Sequence, residues 1–318
     1  MHKQLPALQP LAPLPDISIQ SSPDLPAYLQ EKELSQEIRD LVMSLPTEKG
    51  FWHTTRQLQG VVACQKYFQA HDTDILLVTT PKSGTTWLKA IMFALVNRAL
   101  FPEPKLHPLL TNNPHVLVPF LEMEYINSQF PDFDNFTFPR LFSTHFPFFV
   151  YLCRNPKDTF VSLWHFTNKL RKPKEMGENS LEEAFDKFCR GVRLYGPFGD
   201  HVLSYWKLSL EKPERVLFLK YEDLKKEPKV QLRKLSEFLG CPFSQKEETC
   251  GVVDEILNLC SFDNLSNLEV NKTRKLPSGE ENCTFFRRGE TGDSMNHLAA
   301  EMLEKMDPIT EQKLNSCG

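Results

Sequence analysis

The sequence predicts an α/β protein with a central parallel sheet that is flanked by helices on both faces. Three short apolar runs, Asp74–Val78, Phe149–Cys153 and Val216–Leu219, are each followed by a stretch with helical spacing. Strands buried on both faces read as continuous apolar segments, and their alternation with helices is typical of parallel sheets. The 318 residues are enough for one large domain of this class or for two smaller ones.

Helical segments are predicted before, between and after these runs. The helix that follows the first run should extend to about Leu100, because Pro102 and Pro104 stop it there. Gly240 is well placed as the C-terminal cap of the last predicted helix. The other predicted helices are Glu33–Leu45, Val61–Ala70, Lys157–Leu170, Glu182–Tyr195, His201–Leu210 and Pro228–Leu239. The region rich in proline and phenylalanine, Pro114–Phe149, reads as loops and short segments.

The N-terminus is predicted to be a flexible arm over residues 1–26, followed by one domain over residues 27–318. Six prolines lie among the first 26 residues, which also suits a ligand of proline-binding domains, but a flexible extension is the favoured interpretation. The arm has neither the uninterrupted apolar core of a signal peptide nor the arginines of a transit peptide. No apolar stretch approaches the ~20 residues of a membrane span.

Composition indicates a cytoplasmic protein that binds neither nucleic acid nor membranes. The formal net charge is -4, so the overall field attracts neither of these polyanionic partners. Eight cysteines in a chain of this length, without a C-x-x-C pair, form no disulfide or zinc framework. A reducing compartment is the simplest inference. The sequence says nothing about the oligomeric state.

The segment TTPKSGTTWLKA, which begins at Thr79, predicts an anion-binding turn. The common nucleotide loop places lysine after its last glycine, whereas Lys82 precedes Gly84 here. Backbone N–H groups at the start of the following helix, together with the helix dipole, favour an anion. The hydroxyls of Ser83, Thr85 and Thr86 add donors, and Lys82 adds a positive charge. An ordinary strand-to-helix turn is the alternative, which the density of these residues makes the weaker one.

Other cationic side chains follow the later strands. In parallel α/β sheets, ligands bind at the carboxyl ends of the strands, which selects Lys82, Arg154 and Tyr221. The planar fork of Arg154 suits a terminal phosphate, and Ser162 lies two helical turns further on. Taken alone, Arg154 is equally consistent with a salt bridge at the sheet edge, and Ser162 with an ordinary helical serine. The pair at Arg287-Arg288 would, by itself, read as solvated charge.

The motif set as a whole resembles the cytosolic sulfotransferase family. The segments PKSGTTW, YLCRNPKDTFVSLWHF, LKYEDLK, LCSFDNLSNLEVNK and FFRRGE occur in that order, and the resemblance extends from about Leu25 to the end. It is strongest to the plant branch, which acts on flavonols, steroids and hydroxyjasmonates. The resemblance implies a P-loop-like sulfotransferase fold and the sulfuryl donor 3'-phosphoadenosine 5'-phosphosulfate (PAPS). It also implies transfer to a hydroxyl of a small, largely apolar acceptor, without a metal.

The resemblance also implies roles for individual residues. It matches His145 to the base that accepts the proton of the acceptor hydroxyl, and Lys82 to the group that stabilises the departing phosphate oxygen. By itself, a lone histidine after an apolar stretch is more often structural. The residues matched to the 5'-phosphosulfate are Lys82, Ser83, Gly84, Thr85, Thr86 and Trp87. Those matched to the 3'-phosphate are Arg154, Ser162, Arg287, Arg288 and Gly289, and those around the adenine are Trp87, Tyr221 and Phe262.

The sequence departs from the family pattern in four places. Only five residues, 146–150, separate His145 from Tyr151, whereas the family has a longer segment with a helix. Parallel neighbours need a crossover of roughly a dozen residues or more. We therefore expect that a strand is lost or that the site around His145 is displaced. The segment at residues 48–53 is also shorter than in the family, and Arg274 stands where relatives often have glycine. Ser294 replaces a tryptophan of the family pattern, and this loss of a large side chain predicts a looser loop over the donor.

Three functions follow from these observations. The first is a sulfotransferase, in which phenylalanines within 130–149 either line the acceptor pocket or belong to the core. The second is a catalytically impaired relative that binds the nucleotide without efficient transfer. The third is a magnesium-dependent nucleotide kinase or hydrolase. It is disfavoured because the lysine precedes the glycine and no predicted strand ends in a plain Walker-type aspartate.

Overall fold

The structure is a computed structural model. It describes residues 60, 63–64, 67–69, 73–128, 131–133, 139–144, 150–171, 177–192 and 197–314. The predicted arm over residues 1–26 and the predicted helix Glu33–Leu45 lie outside the described residues, so the division into an arm and one domain stays a prediction. Within the predicted helix Val61–Ala70, the described residues Ala63, Cys64 and Tyr67 are helical.

The described residues form a parallel sheet of four strands in the order β2-β1-β3-β4. The strands are β1 (Ile75–Thr79), β2 (Leu141–Thr144), β3 (Val150–Cys153) and β4 (Leu217–Lys220). Each neighbouring pair is parallel, with Leu77 of β1 opposite Val150 of β3 and Val150 opposite Leu217. The predicted fold class is confirmed.

Helices surround this sheet. They are α1 (Thr85–Val96), α2 (Pro114–Leu117), α3 (Leu121–Asn127), α4 (Pro156–Leu170), α5 (Leu181–Cys189), α6 (Phe198–Glu211), α7 (Tyr221–Lys226), α8 (Pro228–Phe238), α9 (Gln245–Cys250), α10 (Val252–Leu259), α11 (Phe262–Asn267), α12 (Glu269–Thr273) and α13 (Ala300–Leu314). Short 3-10 turns occur at Pro104–Leu106, Pro108–Leu110, Asn282–Phe285 and Asp293–Asn296.

Two apolar cores cover the two faces of the sheet. Successive strand residues point to opposite faces, so Leu77 and Leu152 pack into one core, with residues of α1, α7, α8 and α10. Val78 and Tyr151 pack into the other core, with residues of α4, α5, α6 and α13. All four side chains are fully buried. This two-sided burial is the reason why the strands read as continuous apolar runs.

The expectation that a strand is lost beside His145 is wrong. Strands β2 and β3 are both present, but β1 lies between them, with Leu76 opposite Phe142 on one side and Val78 opposite Tyr151 on the other. Strand β2 therefore pairs with β1, and the strand that follows it in the chain, β3, is not its neighbour in the sheet. Residues 145–149 lie outside the described residues, so the expected displacement around His145 stays a prediction. Strand β2 and the two helices before it are short segments within residues 114–149, the region predicted to contain loops and short segments.

Several predicted boundaries differ from the structure, and one predicted cap is confirmed. Helix α1 ends at Val96, not near Leu100, because both the backbone and the side chain of Asn97 donate to the carbonyl of Phe93. Helix α5 ends at Cys189, not at Tyr195, because Gly191 adopts the left-handed conformation (φ 80°). Strand β4 includes Lys220, one residue beyond the predicted end. Gly240 caps α8 as predicted, with φ 68° and its N–H bonded to the carbonyl of Glu237.

Candidate functional site

A cavity of about 360 Å³ lies at the carboxyl ends of β1, β3 and β4. Its walls come from the β1–α1 turn, the start of α4, the start of α7 and the loop after the 3-10 turn Asn282–Phe285. Predicted site residues that line it are Lys82, Gly84, Thr85, Thr86, Trp87, Arg154, Ser162, Tyr221, Phe262, Arg287, Arg288 and Gly289. The sheet topology therefore brings together residues that are far apart in the chain.

The β1–α1 turn has a strained conformation that its residues explain. Among the described residues, Lys82 is the one non-glycine with positive φ (68°), and Gly84 has φ 103°. A Cβ atom on Gly84 would lie 2.7 Å from the ring of Tyr221, so only glycine fits there. The first intrahelical bond of α1 is donated by Leu88 to Gly84, which leaves the preceding N–H groups at the helix start, facing the cavity.

Burial and neighbouring cations disfavour the charged form of the Lys82 amine, although two aromatic rings lie close to it. Its Nζ lies 4.3 Å from the ring centroid of Phe166 and 5.9 Å from that of Phe285. Burial, followed by the nearby charges of Arg154, Arg287 and Lys169, lowers the pKa of Lys82 to about 7. An anion in the cavity would remove this penalty, because it would neutralise the shared positive charge.

Arg154 is held at the edge of the cavity by backbone contacts. Its Nη2 donates to the carbonyl of Glu290 at 2.7 Å, and its guanidinium lies 4.5 Å from the ring centroid of Tyr221. The buried Nε atoms of Arg154 and of Arg287 have no hydrogen-bond partner among the described residues. Buried donors of this kind are normally paired, so the cavity offers unused donors on two arginines.

Two buried aspartates hold the loop that carries Arg287 and Arg288. Asp158 accepts hydrogen bonds from the N–H groups of Gly292 (2.7 Å) and Ser294 (2.9 Å), and Ser294 is buried. Asp293 accepts from both arginines. Burial by itself would raise the pKa of Asp293, but the hydrogen bonds from Arg287 and its neighbours outweigh burial and hold the pKa well below its usual range. Hydrogen bonds to Asp158 therefore fix the loop backbone on either side of Asp293.

Aromatic rings form the apolar wall of the cavity. Trp87 and Tyr221 meet edge to face, with their centroids 5.5 Å apart. Phe262 packs against Gly289, where an added Cβ atom would lie 2.5 Å from the phenylalanine ring. The cavity thus combines cationic donors with flat aromatic surfaces, a combination that suits a phosphorylated nucleotide.

Comparison with known proteins settles the family. The sulfotransferase domain model matches residues 72–318, which is more than half of the chain. The chain belongs to the sulfotransferase domain family. The prediction of a PAPS-dependent sulfotransferase is therefore confirmed at the level of the enzyme family.

Curated relatives support the plant branch. Cytosolic sulfotransferase 12 of Arabidopsis thaliana is 48% identical, over 94% of this chain and 98% of that protein. An Arabidopsis thaliana protein named as a candidate steroid sulphotransferase is 42% identical, with a TM-score of 0.69 and coverage of 93% and 99%. A mouse sulfotransferase complexed with PAP has the same fold, with 23% identity, a TM-score of 0.59 and coverage of 83% and 93%.

Two predicted site residues of this sulfotransferase are not among the cavity-lining residues. The Ser83 side chain is fully buried and its hydroxyl is hydrogen-bonded to that of Thr80, so it faces the turn instead of the cavity. His145 lies outside the described residues. Of the phenylalanines expected either in the acceptor pocket or in the core, Phe133 and Phe142 pack together at 5.0 Å in a small cluster around Leu76. These two belong to the core.

Sequence reasoning missed several residues of the site. His115, Phe120, Phe166 and Phe285 line the cavity. The sequence has a local signal for the helix start before His115, because Asn113-Pro114 is a typical way to begin a helix. In the structure, the Asn113 side chain accepts from the His115 N–H. The contribution of Asp158 had no local signal, because its partners on the loop lie more than a hundred residues away.

The described residues lack two features, a membrane-spanning helix and a cluster of metal-ligating side chains. No described helix has the length and apolar character needed to cross a membrane. The described residues also contain no group of three or more histidine, cysteine or acidic side chains placed to hold a metal ion.

Gly289→Ala should destabilise the protein more than Gly240→Ala does. Gly240→Ala is the matched control, because Gly240 has nearly the same φ (68°, against 67° for Gly289) and nothing within 4 Å of an added Cβ atom, so each of these two alanines costs roughly 1–2 kcal/mol of strain. Only the Gly289 variant also collides with Phe262, which adds about 1–3 kcal/mol. Urea unfolding followed by circular dichroism measures the difference. Equal losses for the two variants would show that Phe262 does not pack against the loop.

Proposed function

We propose that this chain transfers the sulfuryl group of PAPS to a hydroxyl of a small, largely apolar acceptor of the flavonoid, steroid or hydroxyjasmonate type. The observation that carries the proposal is the convergence of Lys82, Arg154 and Arg287 on one cavity with aromatic walls. The names of the plant relatives support it, and so does the PAP bound to the mouse enzyme of the same fold.

The donor set fits a nucleotide with two separate anionic groups. Lys82, the hydroxyl of Thr86 and the N–H groups at the start of α1, including that of Thr85, would hold the 5'-phosphosulfate. The Thr85 hydroxyl itself is hydrogen-bonded to that of Thr79. Arg154, Ser162, Arg287, Arg288 and the N–H of Gly289 would hold the 3'-phosphate. The buried, unpaired Nε atoms of Arg154 and Arg287 would then gain acceptors. Trp87, Tyr221 and Phe262 would flank the adenine.

The chemistry follows from these roles. PAPS supplies a sulfuryl group on a phosphate leaving group. The acceptor oxygen forms a bond to sulfur in line with the bond that breaks, between sulfur and the bridging phosphate oxygen. The acceptor proton passes to the imidazole of His145, and a positioned base of this kind contributes about 10²–10⁴-fold in rate. Lys82 stabilises the negative charge on the departing oxygen. The products are a sulfate ester and adenosine 3',5'-bisphosphate, and no metal takes part.

The cellular setting is part of the proposal. We place the enzyme in the cytoplasm, as the names of its plant relatives suggest. Its partners are then a small-molecule acceptor and the nucleotide, without nucleic acid or membrane.

A catalytically impaired nucleotide binder is the second candidate. One observation favours it. Most predicted donor-binding residues line one cavity, whereas the segment that contains the proposed base His145 is short, because only residues 145–149 connect β2 to β3. A protein of this kind would bind adenosine 3',5'-bisphosphate as well as an active enzyme does. It would not transfer sulfate.

The test combines thermal unfolding with a transfer assay. Adenosine 3',5'-bisphosphate at 100 times its dissociation constant should stabilise the protein by about 2.7 kcal/mol, whereas ATP with magnesium should not. Radiolabelled PAPS and a panel of flavonols, steroids and hydroxyjasmonates then measure transfer, with His145→Ala as the inactive control. Stabilisation without transfer would support the impaired binder. Stabilisation by ATP and magnesium alone would contradict both candidates.

The lowered pKa of Lys82 predicts proton uptake on nucleotide binding. At pH 8 an amine with a pKa of about 7 is mostly neutral, and a neighbouring phosphate raises this pKa and charges the amine. Binding of the bisphosphate at pH 8 should therefore take up roughly one proton. The uptake is smaller at lower pH, where the amine is already charged.

Calorimetry in two buffers of different ionisation enthalpy measures this uptake. Lys82→Gln should abolish it, whereas Lys225→Gln should retain it, because Lys225 lines the cavity but is exposed. Wild-type protein that binds without proton uptake at pH 8 would contradict the burial of the Lys82 amine.

A further inference from the structure

A chain of buried polar side chains lies behind the β1–α1 turn. The Nε2 atom of His115 lies 2.9 Å from Oγ1 of Thr86, and its Nδ1 atom lies 3.0 Å from Nζ of Lys89. Lys89 is fully buried and His115 is 9% exposed. Thr86 and His115 both line the cavity, so the chain runs from the interior of α1 to the site.

One assignment of donors and acceptors directs this chain towards the cavity. In it, the Lys89 amine donates to Nδ1 of His115, and the ring proton lies on Nε2. Nε2–H therefore donates to Oγ1 of Thr86. Because that oxygen now accepts, the hydroxyl proton of Thr86 is directed away from His115. The cavity is the place where it can be donated to an anion.

Packing around the chain keeps the imidazole in this orientation. The His115 ring stacks on Phe120, with centroids 5.6 Å apart, and contacts Phe285 at 4.3 Å. Nζ of Lys89 lies 3.5 Å from the ring centroid of Phe120. The backbone N–H of His115 donates to the side chain of Asn113, which fixes the start of α2.

We propose that His115 is a positioning residue, which relays a hydrogen bond from Lys89 to Thr86 so that the Thr86 hydroxyl donates to the phosphosulfate end of the nucleotide. The inference rests on the proposed function, because it needs an anion beside Thr86. The proposal gives a role to Lys89 and His115, which are not among the predicted nucleotide contacts. His115 acts through Thr86 and does not itself take part in proton transfer.

The test is a double-mutant cycle on the binding of adenosine 3',5'-bisphosphate by calorimetry. His115→Phe keeps an aromatic ring between Phe120 and Phe285 but removes both hydrogen bonds. It should weaken binding about tenfold, as should Thr86→Val, since one well-oriented bond to an anion is lost in each. The double variant should bind no more weakly than either single variant. Thr86→Ser and His115→Gln, which keep the donors and acceptors, should bind within about threefold of wild type.

A merely structural histidine predicts a different pattern. His115→Phe would then bind as wild type does, or its effect would add to that of Thr86→Val, and either result would overturn the proposal. Lys89→Met tests the same chain from its buried end if His115→Phe does not fold. It should weaken binding only when Thr86 is present, and an equal effect in the Thr86→Val background would also overturn the proposal.

Lys82→Gln separates this inference from the proposed function. Weaker binding in Lys82→Gln and Thr86→Val, but not in His115→Phe, would reject the relay and leave the nucleotide site intact. Unchanged binding in all three variants would reject the proposed site, and the relay with it.

Discussion

The site depends on the burial of several positive charges around one cavity. Lys82, Arg154 and Arg287 converge at the carboxyl ends of the strands, and their mutual repulsion helps to lower the pKa of Lys82. Removing charges from water is costly unless they are paired. Two aspartates supply part of the compensation, Asp158 beside Arg154 and Asp293 beside Arg287. What remains is a set of unused donors that an anionic ligand can satisfy.

Asp158 and Arg154 connect the strand ends with the loop that carries Arg287 and Arg288. Asp158 lies on α4, directly after β3, and binds the backbone of the loop that carries the arginine pair. The turn after β1 reaches that loop indirectly, because Arg154 donates to the carbonyl of Lys82 at 3.4 Å and to that of Glu290. These bonds hold the loop although Ser294 stands where the family has a tryptophan. Backbone hydrogen bonding to Asp158 does not depend on the side chain at that position.

Local signals made much of the fold predictable. Apolar runs gave β1, β3 and β4, and Gly84 and Gly240 marked a helix start and a helix end correctly. Strand β2 was not recognised, because it has four residues within a region rich in proline and phenylalanine. The end of α5 was predicted too late, because the apolar pattern continues beyond Cys189. In the structure, the left-handed conformation of Gly191 ends the helix.

The residues that line the cavity were predictable where they belong to a motif, and not where their contacts are with residues far away in the chain. Lys82, Arg154 and Arg287 belong to recognisable segments that follow strands or loops. His115 contacts Thr86 and Lys89, which lie 29 and 26 residues away in the chain. Ser83 belongs to the motif, yet its hydroxyl faces Thr80. A motif names residue types, whereas the direction of each side chain depends on packing that only the folded chain defines.

The most direct test of the charge arrangement compares two nucleotides that differ by one phosphate. Calorimetry would measure the ratio of affinities for adenosine 3',5'-bisphosphate and adenosine 5'-monophosphate in wild type, Arg287→Gln and Lys82→Gln. We predict that wild type strongly prefers the bisphosphate. This preference should be largely lost in Arg287→Gln and kept in Lys82→Gln, where both affinities fall together. An unchanged preference in Arg287→Gln would contradict the assignment of Arg287 to the 3'-phosphate.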